Sequence, residues 1–391
     1  MINNYDSVVS CISLGTPQSQ KQESISYKAT KRNWLSFVTL LVAMFSFVFV
    51  QGQTTLISPT GAGGFENGST FAANGWTTVN PTTDTWSIGN VPVSASGSNC
   101  AYVSANGGTS WTYSQTSVFN HIYRDVTIPA GETKVVLSFK WKVGGEGTTT
   151  SDWDNMKVFI APTTLTPLST AAVTGAIQLS GPGATSGMYK LSSTNWNTET
   201  IIFSASPGSY RLIFSWKSDI TDIVNPPAAI DDISLTSAVP LSYTWVATSG
   251  SAAWQTPSSW TPARNTGDIS DILNFSQGGA STVTIPATGS VGGRVIFSNN
   301  TTANFQAATS TATTLTLGSV TIPSGSTLMS NGATGALTVA FSSGAINSIA
   351  GRLEINNTTP VNVLNLTGTN TTVSTSGILA SGGTVNYKSC C

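Results

Sequence analysis

The sequence predicts an all-β protein, and three features of its composition indicate this. Only 8% of the 391 residues are charged, and glycine, serine, threonine and asparagine fill the gaps between short apolar runs. Valine, isoleucine, leucine and aromatic residues recur throughout, which argues against a disordered chain. Short apolar runs separated by turn residues are typical of a protein built from many β-strands. The net charge of −1 offers no electrostatic attraction for nucleic acid or an anionic membrane surface, so neither partner is expected.

The N-terminus has the pattern of an export signal. Positive charge in residues 28–34 precedes an apolar run of 16 residues, 35–50. A membrane-spanning helix needs about 20 such residues, so a cleaved signal peptide is predicted, with an uncleaved anchor as the alternative. We place cleavage near Gly52, which makes residues 1–52 an N-terminal extension and signal peptide. The mature chain is then expected to be secreted or on the outer cell surface, with no transmembrane span.

A shift in composition near residue 240 predicts two domains, residues 53–240 and 241–391. The first contains 8 Lys/Arg and 12 Asp/Glu, whereas the second contains only 4 and 3. The tryptophans of the mature chain all lie at or before Trp260. Such a shift, next to a proline-containing segment, is typical of a domain boundary.

Two near-identical stretches predict the core strands of the first domain. "LSFKWK" (137–142) and "LIFSWK" (212–217) place Leu, Phe and Trp at alternate positions, which puts all three on one face of a strand. Trp141 and Trp216 are therefore interpreted as core residues rather than a binding platform. Further strands are expected at 157–160, 176–180 and 200–205, and antiparallel strands of this length suggest two packed sheets.

An ordered series of motifs in the first domain resembles a known family. The series consists of "GFENG" (64–68), "GW" (75–76), "TW" (85–86), "HIYRDVTIPAG" (121–131), "LSFKWKVGGEG" (137–147), "SDWDNMKVFI" (151–160) and "NPPAAIDDISL" (225–235). It is similar to the jelly-roll modules of secreted Bacteroidetes proteins, namely the cleaved-adhesin, MAM-like or choice-of-anchor J domains, over roughly residues 60–237. The resemblance implies a jelly-roll β-sandwich for residues 53–240, with the first and last strands side by side and structural calcium held by acids from those strands.

The acids that match this expectation are Glu66, placed in the first strand, and Asp231 and Asp232, placed in the last. Calcium binds carboxylate and carbonyl oxygens, and a shared ion would neutralise a buried acid. Two alternatives remain open: one acid pairs with a basic side chain such as Lys217, or both reach solvent through a β-bulge. Three other acids, Glu146, Asp152 and Asp154, are interpreted as part of a solvated turn.

The second domain resembles the repetitive region of secreted β-solenoid proteins. Trp245, Trp254 and Trp260 precede a series of short apolar stretches at spacings of about 10 residues, or 20 for pairs. This pattern predicts a parallel β-helix over residues 241–391, with an ordinary β-sandwich as the alternative. Because no capping segment is evident at the end, we expect the chain to be the N-terminal part of a longer protein.

No catalytic site is predicted. The single histidine, His121, is expected to be structural, and no zinc site can be built from one histidine. Neither the nucleophile-elbow motif nor the phosphate-binding loop motif occurs in the sequence. The adjacent pair Asp231/Asp232 and the alternate pair Asp152/Asp154 cannot flank a glycosidic bond from opposite sides. The four cysteines show no paired framework.

The leading hypothesis is therefore a non-catalytic adhesin that binds glycan or extracellular protein through the jelly roll. One alternative is an accessory binding region of a larger secreted enzyme that degrades polysaccharide or protein. The other alternative is a structural stalk.

Overall fold

The structure is a computed structural model. It describes residues 52–265, 267–330, 334–342, 346–355, 361–366, 370–373, 378–380 and 384–386. The described residues do not include the predicted signal segment before Gly52, nor three of the cysteines, Cys11, Cys390 and Cys391. Of the last predicted rung, 381–387, they include only 384–386.

The first part of the chain forms two antiparallel sheets. Its strands are β1 (Gln53–Ile57), β2 (Thr77–Val79), β3 (Thr85–Gly89), β4 (Cys100–Ser104), β5 (Val118–Ile128), β6 (Lys134–Val143), β7 (Asn155–Pro162), β8 (Ile177–Leu179), β9 (Ser192–Ser204), β10 (Gly208–Ser218) and β11 (Ala229–Ala238). One sheet has the order β3-β4-β11-β6-β9, with β1 also paired to β11, and the other has the order β2-β5-β10-β7-β8. This jelly-roll sandwich confirms the predicted fold class.

The first and last strands pair, as expected. Strand β1 runs antiparallel to β11, with Gln53 opposite Ala238. Glu66 was placed in this first strand, and that placement is wrong. The strand ends at Ile57, and Glu66 lies in the turns that follow, where the amides of Gly63 and Glu66 donate to the carbonyls of Ser58 and Gly61.

The core of the sandwich lies between the two sheets. The Leu-Phe-Trp positions of β6 and β10 point into it, and Trp141 and Trp216 are 3% and 0% exposed, which confirms that both are core residues. Phe139 of one sheet meets Phe214 of the other at a ring-centroid distance of 5.2 Å and an interplanar angle of 84°. Burying one such side chain stabilises the fold by roughly 2 kcal/mol, because its apolar surface is removed from water.

The second part is a parallel solenoid. Its strands are β12 (Ser242–Trp245), β13 (Ser251–Ala253), β14 (Trp260–Thr261), β15 (Ile272–Phe275), β16 (Ala280–Ile285), β17 (Ser290–Phe297), β18 (Thr302–Ala307), β19 (Thr313–Ile322), β20 (Thr327–Ser330), β21 (Leu337–Phe341), β22 (Ile346–Ile349), β23 (Arg352–Ile355), β24 (Val363–Asn365), β25 (Asn370–Val373), β26 (Ile378–Ala380) and β27 (Thr384–Asn386). They form two sheets in which every pair from β15 onward is parallel.

The registers give the solenoid a repeat of 22 to 25 residues along β16, β18, β20, β23 and β26. A rung contributes one strand to the smaller sheet and one or two to the larger sheet, where both β21 and β22 pair with β19. The expected pair spacing of about 20 residues was slightly short. The parallel pairing confirms the β-helix and excludes the β-sandwich alternative, because a sandwich of short hairpins would be antiparallel.

Three tryptophans close the N-terminal end of the solenoid core. Trp260 packs edge-on against Trp245 and Trp254 at centroid distances of 5.0 and 5.2 Å. The guanidinium of Arg264 lies among these rings and pairs with Asp271 at 2.8 Å, and both charged side chains are 3% exposed. The cluster covers the apolar first rung, which has no preceding rung to pack on.

Candidate functional site

Two long loops meet at one end of the jelly roll. The β6–β7 loop (144–154) and the β10–β11 loop (219–228) are joined where Gly144 N donates to Pro226 O at 2.8 Å and Gly145 N donates to Val224 O at 3.1 Å. A side chain at Gly145 would place its Cβ 2.3 Å from the carbonyl oxygen of Asp154, at a φ of +78°. Only glycine fits there, so the two loops form one continuous surface.

The most exposed tryptophan of the described residues lies on this surface. Trp153 is 48% exposed. The six-membered ring of its indole rests against Gly147, where an added Cβ would lie 2.5 Å from the Trp153 Cε3 atom. The ring is thus supported on one side by backbone and open to solvent elsewhere, which is an unusual position for a large aromatic side chain.

Charged groups lie beside this tryptophan. Asp152 is half exposed, and its carboxylate is 2.9 Å from the Lys157 ammonium and 3.7 Å from that of Lys217. Lys217 also donates to the backbone carbonyl of Asp152. Burial raises the pKa of Asp152, but hydrogen bonds from Lys157 and Asn155 and the two lysine charges outweigh it, so the pKa lies below its ordinary value. The group therefore offers one carboxylate and two ammonium groups to a ligand at neutral pH.

A second, buried layer of acids lies behind the exposed one. Glu146 and Asp154 are 4% and 1% exposed, so the interpretation of these two as part of a solvated turn is wrong, whereas it holds for Asp152. Tyr113 donates its hydroxyl to Asp154, and Asp219 N donates to the same carboxylate at 2.9 Å. Burial raises the pKa of Asp154 to about 6, against the lowering effect of these hydrogen bonds.

The buried acids come close enough to one another to hold a cation. The carboxylate oxygens of Glu146, Asp154 and Asp219 lie within 4.8 Å of one another. The Thr221 hydroxyl lies 2.9 Å from Glu146 and 2.5 Å from Asp219. The ammonium of Lys190 donates to the backbone carbonyl of Glu146 at 2.9 Å and already supplies positive charge there. The network therefore cross-links the loops behind Trp153.

Glu66 and Asp231, the expected calcium ligands, hold a single loop. Glu66 Oε1 accepts hydrogen bonds from Ser98 N at 2.7 Å and Asn99 N at 2.8 Å. Asp231 Oδ2 accepts one from Ala95 N at 2.8 Å. The oxygens of both acids thus receive backbone N–H groups from the β3–β4 loop.

Asp231 and Asp232 differ in their surroundings. Asp231 is fully buried, but on the outside of the sheet beneath the β3–β4 loop rather than in the core, and burial raises its pKa to about 7. Asp232 has a φ of +49° at an irregularity between Asp231 and Ser234, and it accepts a hydrogen bond from the Ser96 hydroxyl at 2.6 Å. The backbone has the irregularity that the bulge alternative expected, but the buried Asp231 carboxylate does not reach solvent as that alternative required. Lys217 contacts Asp152 instead of these acids.

Calcium at Glu66, Asp231 and Asp232 stays a prediction. Among the described residues, the acids that come within 4.8 Å of one another are the Glu146 group, and these three are not among them. The unused lone pairs of the half-buried Glu66 carboxylate and the buried Asp231 carboxylate remain available to a hard cation.

The exposed end of the jelly roll was missed in the sequence analysis. Trp153 was read only as part of a family motif, although an aromatic residue between two acids in a glycine-rich segment is a signal of a loop platform. The same end also carries exposed aliphatic side chains: Leu191, Ile220, Ile223 and Val224. The surface thus combines an aromatic ring, apolar side chains and paired charges.

No protein-family model matches the chain, and no curated protein matches it. Several solved structures show similarity to part of the chain. One is the CBM22-1 xylan-binding domain from Paenibacillus barcinonensis Xyn10C, at 14% identity and a TM-score of 0.30, over 48% of this chain and 97% of that one. Another is TmCBM61 in complex with β-1,4-galactotriose, at 12% identity and a TM-score of 0.28, over 46% and 97%.

A third is the K1 cleaved adhesin domain of Lys-gingipain from Porphyromonas gingivalis W83. It has 14% identity and a TM-score of 0.23, over 41% of this chain and 89% of that one. These likenesses are too distant to assign a ligand, so the functional argument depends on the site itself. Among the residues that the structure describes, no helix is long and apolar enough to cross a membrane.

Proposed function

We propose that the chain is a non-catalytic glycan-binding protein of the cell exterior, and that the jelly roll binds sugar at its loop end. The observation that carries this proposal is the position of Trp153, which is half exposed, braced by Gly147 and flanked by the Asp152 ion pairs. Binding sites of this kind combine an apolar surface with a few well-placed polar groups.

The chemistry of a sugar suits this arrangement. One face of a pyranose ring exposes C–H groups that can pack on the indole of Trp153, as amphipathic aromatic side chains do at many interfaces. The ring hydroxyls can then donate to Asp152 and accept from Lys157 or Lys217, which are already held by hydrogen bonds. Because the loops are cross-linked behind the surface, little side-chain ordering would be needed on binding.

A binding role fits the site better than hydrolysis does. The buried carboxylates of Glu146 and Asp154 lie under the loops and accept hydrogen bonds from Thr221, Tyr113 and Asp219. A glycosidase needs two carboxyl groups that flank an accessible bond, about 5 Å or more apart. These two are covered by protein, so they support the loop rather than a substrate.

We further propose that the module belongs with the cleaved-adhesin and MAM-like jelly rolls of secreted Bacteroidetes proteins. The ordered motifs between residues 60 and 237 and the pairing of β1 with β11 support this. In this proposal the solenoid presents the module away from the cell. An accessory role in a larger enzyme would use the same sugar-binding surface, whereas a structural stalk would need none.

The test is Trp153→Ala in the full chain, screened against a glycan array and then titrated with the best ligand. We expect at least a tenfold loss of affinity, about 1.4 kcal/mol, with an unchanged melting temperature. Trp153→Phe should retain part of the affinity. Leu168→Ala, which alters another exposed apolar side chain (60% exposed), is the matched control. An array without any bound glycan, or equal affinity for Trp153→Ala and the wild type, would overturn the proposal.

A further inference from the structure

A straight row of side chains crosses the outer face of the β3-β4-β11-β6-β9 sheet. In the strand registers Tyr102 lies opposite Ala229, and Ala229 lies opposite Lys142. On the next strand Trp196 follows, since its neighbour Asn197 pairs with Trp141. Strands are about 4.8 Å apart, so the row from Tyr102 to Trp196 is about 14 Å long.

Two tryptophans on this face have fixed orientations. The indole N–H of Trp111 donates to the Pro227 carbonyl at 3.0 Å, and that of Trp196 donates to the Val93 carbonyl at 3.0 Å. Both rings pack against the small outer cluster of Cys100, Tyr102 and Ala229, and both remain half-buried rather than covered. The sheet and the two loops thus hold two aromatic rings at the protein surface, with their polar edges already satisfied.

Two lysines lie in the same area without an acidic partner. The Lys142 ammonium is 5.0 Å from the ring centroid of Trp196. The Lys140 ammonium donates to the Thr198 hydroxyl at 2.7 Å. Neither lysine forms an ion pair with any residue that the structure describes.

The acid nearest in register does not neutralise these lysines by contact. Asp231 lies opposite Lys140, but its carboxylate accepts hydrogen bonds from the amides of Ala95, Ser96 and Asp232. Only 8% of the residues in the chain are charged. Two neighbouring lysines without an acidic partner, beside two fixed indoles, therefore form a local concentration of positive charge.

We propose that this outer sheet face is a second binding surface, specific for an anionic polysaccharide. The carboxylate or sulfate groups of the sugar chain would bind Lys140 and Lys142, and its C–H faces would pack on Trp111 and Trp196. Tyr102 and Ala229 of the row are 1% and 0% exposed, with the two tryptophans packed against them. The sugar chain would therefore contact the half-buried indoles and the two lysines, which lie at the protein surface. This surface uses other side chains than the loop end that carries Trp153, although Trp111 donates to Pro227 of the β10–β11 loop. The proposal does not depend on sugar binding at Trp153.

The experiment is affinity electrophoresis of the full chain. Mobility in gels that contain an anionic polysaccharide (polygalacturonate, alginate or chondroitin sulfate) is compared with mobility in gels that contain neutral galactan or xylan. The variants are the double variant Lys140→Met/Lys142→Met, the single variants Trp196→Ala, Trp196→Phe and Trp153→Ala, and the control Leu168→Ala. We expect retardation by at least one anionic polysaccharide. The double variant should lose at least tenfold in affinity, Trp196→Ala should lose several-fold, Trp196→Phe should lose less, and Leu168→Ala should bind as the wild type does. Raising the salt from 50 to 500 mM should weaken binding, because the charges are exposed to screening.

Melting curves separate loss of binding from loss of fold, and the lysine variants keep the aliphatic stems that cover the sheet. The proposal is overturned if the wild type binds none of the anionic polymers, or if the folded double variant binds them as well as the wild type. It is also overturned if single-stranded DNA binds equally well and Trp196→Ala has no effect, since the face would then be a charge patch without sugar recognition. Loss of anionic binding in Trp153→Ala alone would assign the ligand to the loop end instead.

Discussion

A single buried imidazole, His121, shows how one side chain ties a loop to the sandwich. It is fully buried on β5, and its Nε2 lies 3.0 Å from the carbonyl oxygen of Leu168. The Nδ1 atom has no hydrogen-bond partner. These two observations indicate a neutral ring that donates through Nε2, so the expected structural role of this histidine agrees with its surroundings.

The surroundings of His121 predict a dependence of stability on pH. Burial lowers the pKa of His121, although the hydrogen bond to Leu168 opposes this. The folded state therefore binds fewer protons than the unfolded state below about pH 6.5. The resulting stability is present above pH 6.5 and is lost as the pH falls, by at most about 1.4 kcal/mol per pH unit.

In urea unfolding at pH 8 and pH 5, the wild type should lose more stability on acidification than His121→Gln, which retains an N–H donor. Parallel pH profiles for the two proteins would show that His121 does not titrate differently in the folded and unfolded states. Because His121 is the single histidine of the chain, its imidazole resonances give a direct second measurement.

Glu66 and Asp231 carry the proposal of structural calcium. We propose that one calcium ion bridges the two carboxylates and the β3–β4 loop that they hold. A ligand at a hundred times its dissociation constant stabilises the folded state by about 2.7 kcal/mol. Chelator should therefore lower the melting temperature of residues 53–240 by several degrees, and Glu66→Ala or Asp231→Ala should each remove that difference.

Asp222→Ala, which changes a loop acid elsewhere, is the control. An identical melting curve with and without chelator would leave the loop amides as the sole partners of these acids.

At the scale of elements, the irregular part of β11 depends on a close backbone approach. Gly63 accepts a hydrogen bond from Ile233 N at 2.9 Å, and a Cβ at this glycine would lie 1.8 Å from the Ile233 carbonyl oxygen. The turn after β1 therefore packs directly on β11 beside Asp232. Glycine is needed here because two backbones meet without room for a side chain.

Gly63→Ala should destabilise the jelly roll by about 3 kcal/mol, because the overlap is with backbone and cannot be relieved by a rotamer change. Chemical denaturation followed by tryptophan fluorescence measures the effect. Gly61→Ala in the same turn is the control, since the nearest atom to its added Cβ is the Asn67 Oδ1 at 3.5 Å, an ordinary van der Waals contact. A loss below about 0.5 kcal/mol for Gly63→Ala would mean that the turn can move away from β11 at little cost.

In the solenoid, buried asparagine side chains accept hydrogen bonds from the backbone of neighbouring rungs. Asn347, within β22, and Asn362, just before β24, are fully buried. Their side-chain oxygens accept hydrogen bonds from Val320 N and Leu337 N, each at 2.9 Å, in the adjacent rung. Amide side chains thus satisfy backbone donors where the strand ladder is interrupted, which stabilises the stacking of rungs.

At the scale of the whole molecule, the hydrophobic residues form two main clusters with no member in common. One lies within Ile57–Leu235 and the other within Tyr243–Leu366. Between them, β11 ends at Ala238 and β12 begins at Ser242, with Val239 and Leu241 exposed. An ion pair between Lys134 and Asp268 connects the two parts beside this link.

Two separate cores predict that residues 53–240 and 241–391 fold independently. Limited proteolysis should cut first within the predicted boundary 236–245, where Val239 and Leu241 are exposed. The 53–240 fragment should unfold cooperatively, with Trp141 and Trp216 buried as in the full chain. First cuts inside 137–217, or a 53–240 fragment without a cooperative transition, would show that the jelly roll needs the solenoid in order to fold. Lys134→Ala removes the ion pair with Asp268 and should shift stability by less than about 1 kcal/mol.

The amino-acid sequence by itself determined the strands and their architecture. Alternation in 137–142 and 212–217 identified the core faces, and the spaced apolar stretches identified a parallel solenoid, because both patterns follow from the geometry of a strand and its neighbours. Trp141 and Trp216 could be assigned to the core for the same local reason.

Only the tertiary structure decided where the acids and the exposed aromatic side chains lie. Asp231 is buried because a loop 135 residues away in sequence covers it, and Glu146 and Asp154 are buried because three loops close over them. Trp153 is exposed, and Gly147 supports one side of its ring. No local pattern specifies such contacts, since burial of a side chain depends on segments brought together by folding rather than on its neighbours in sequence.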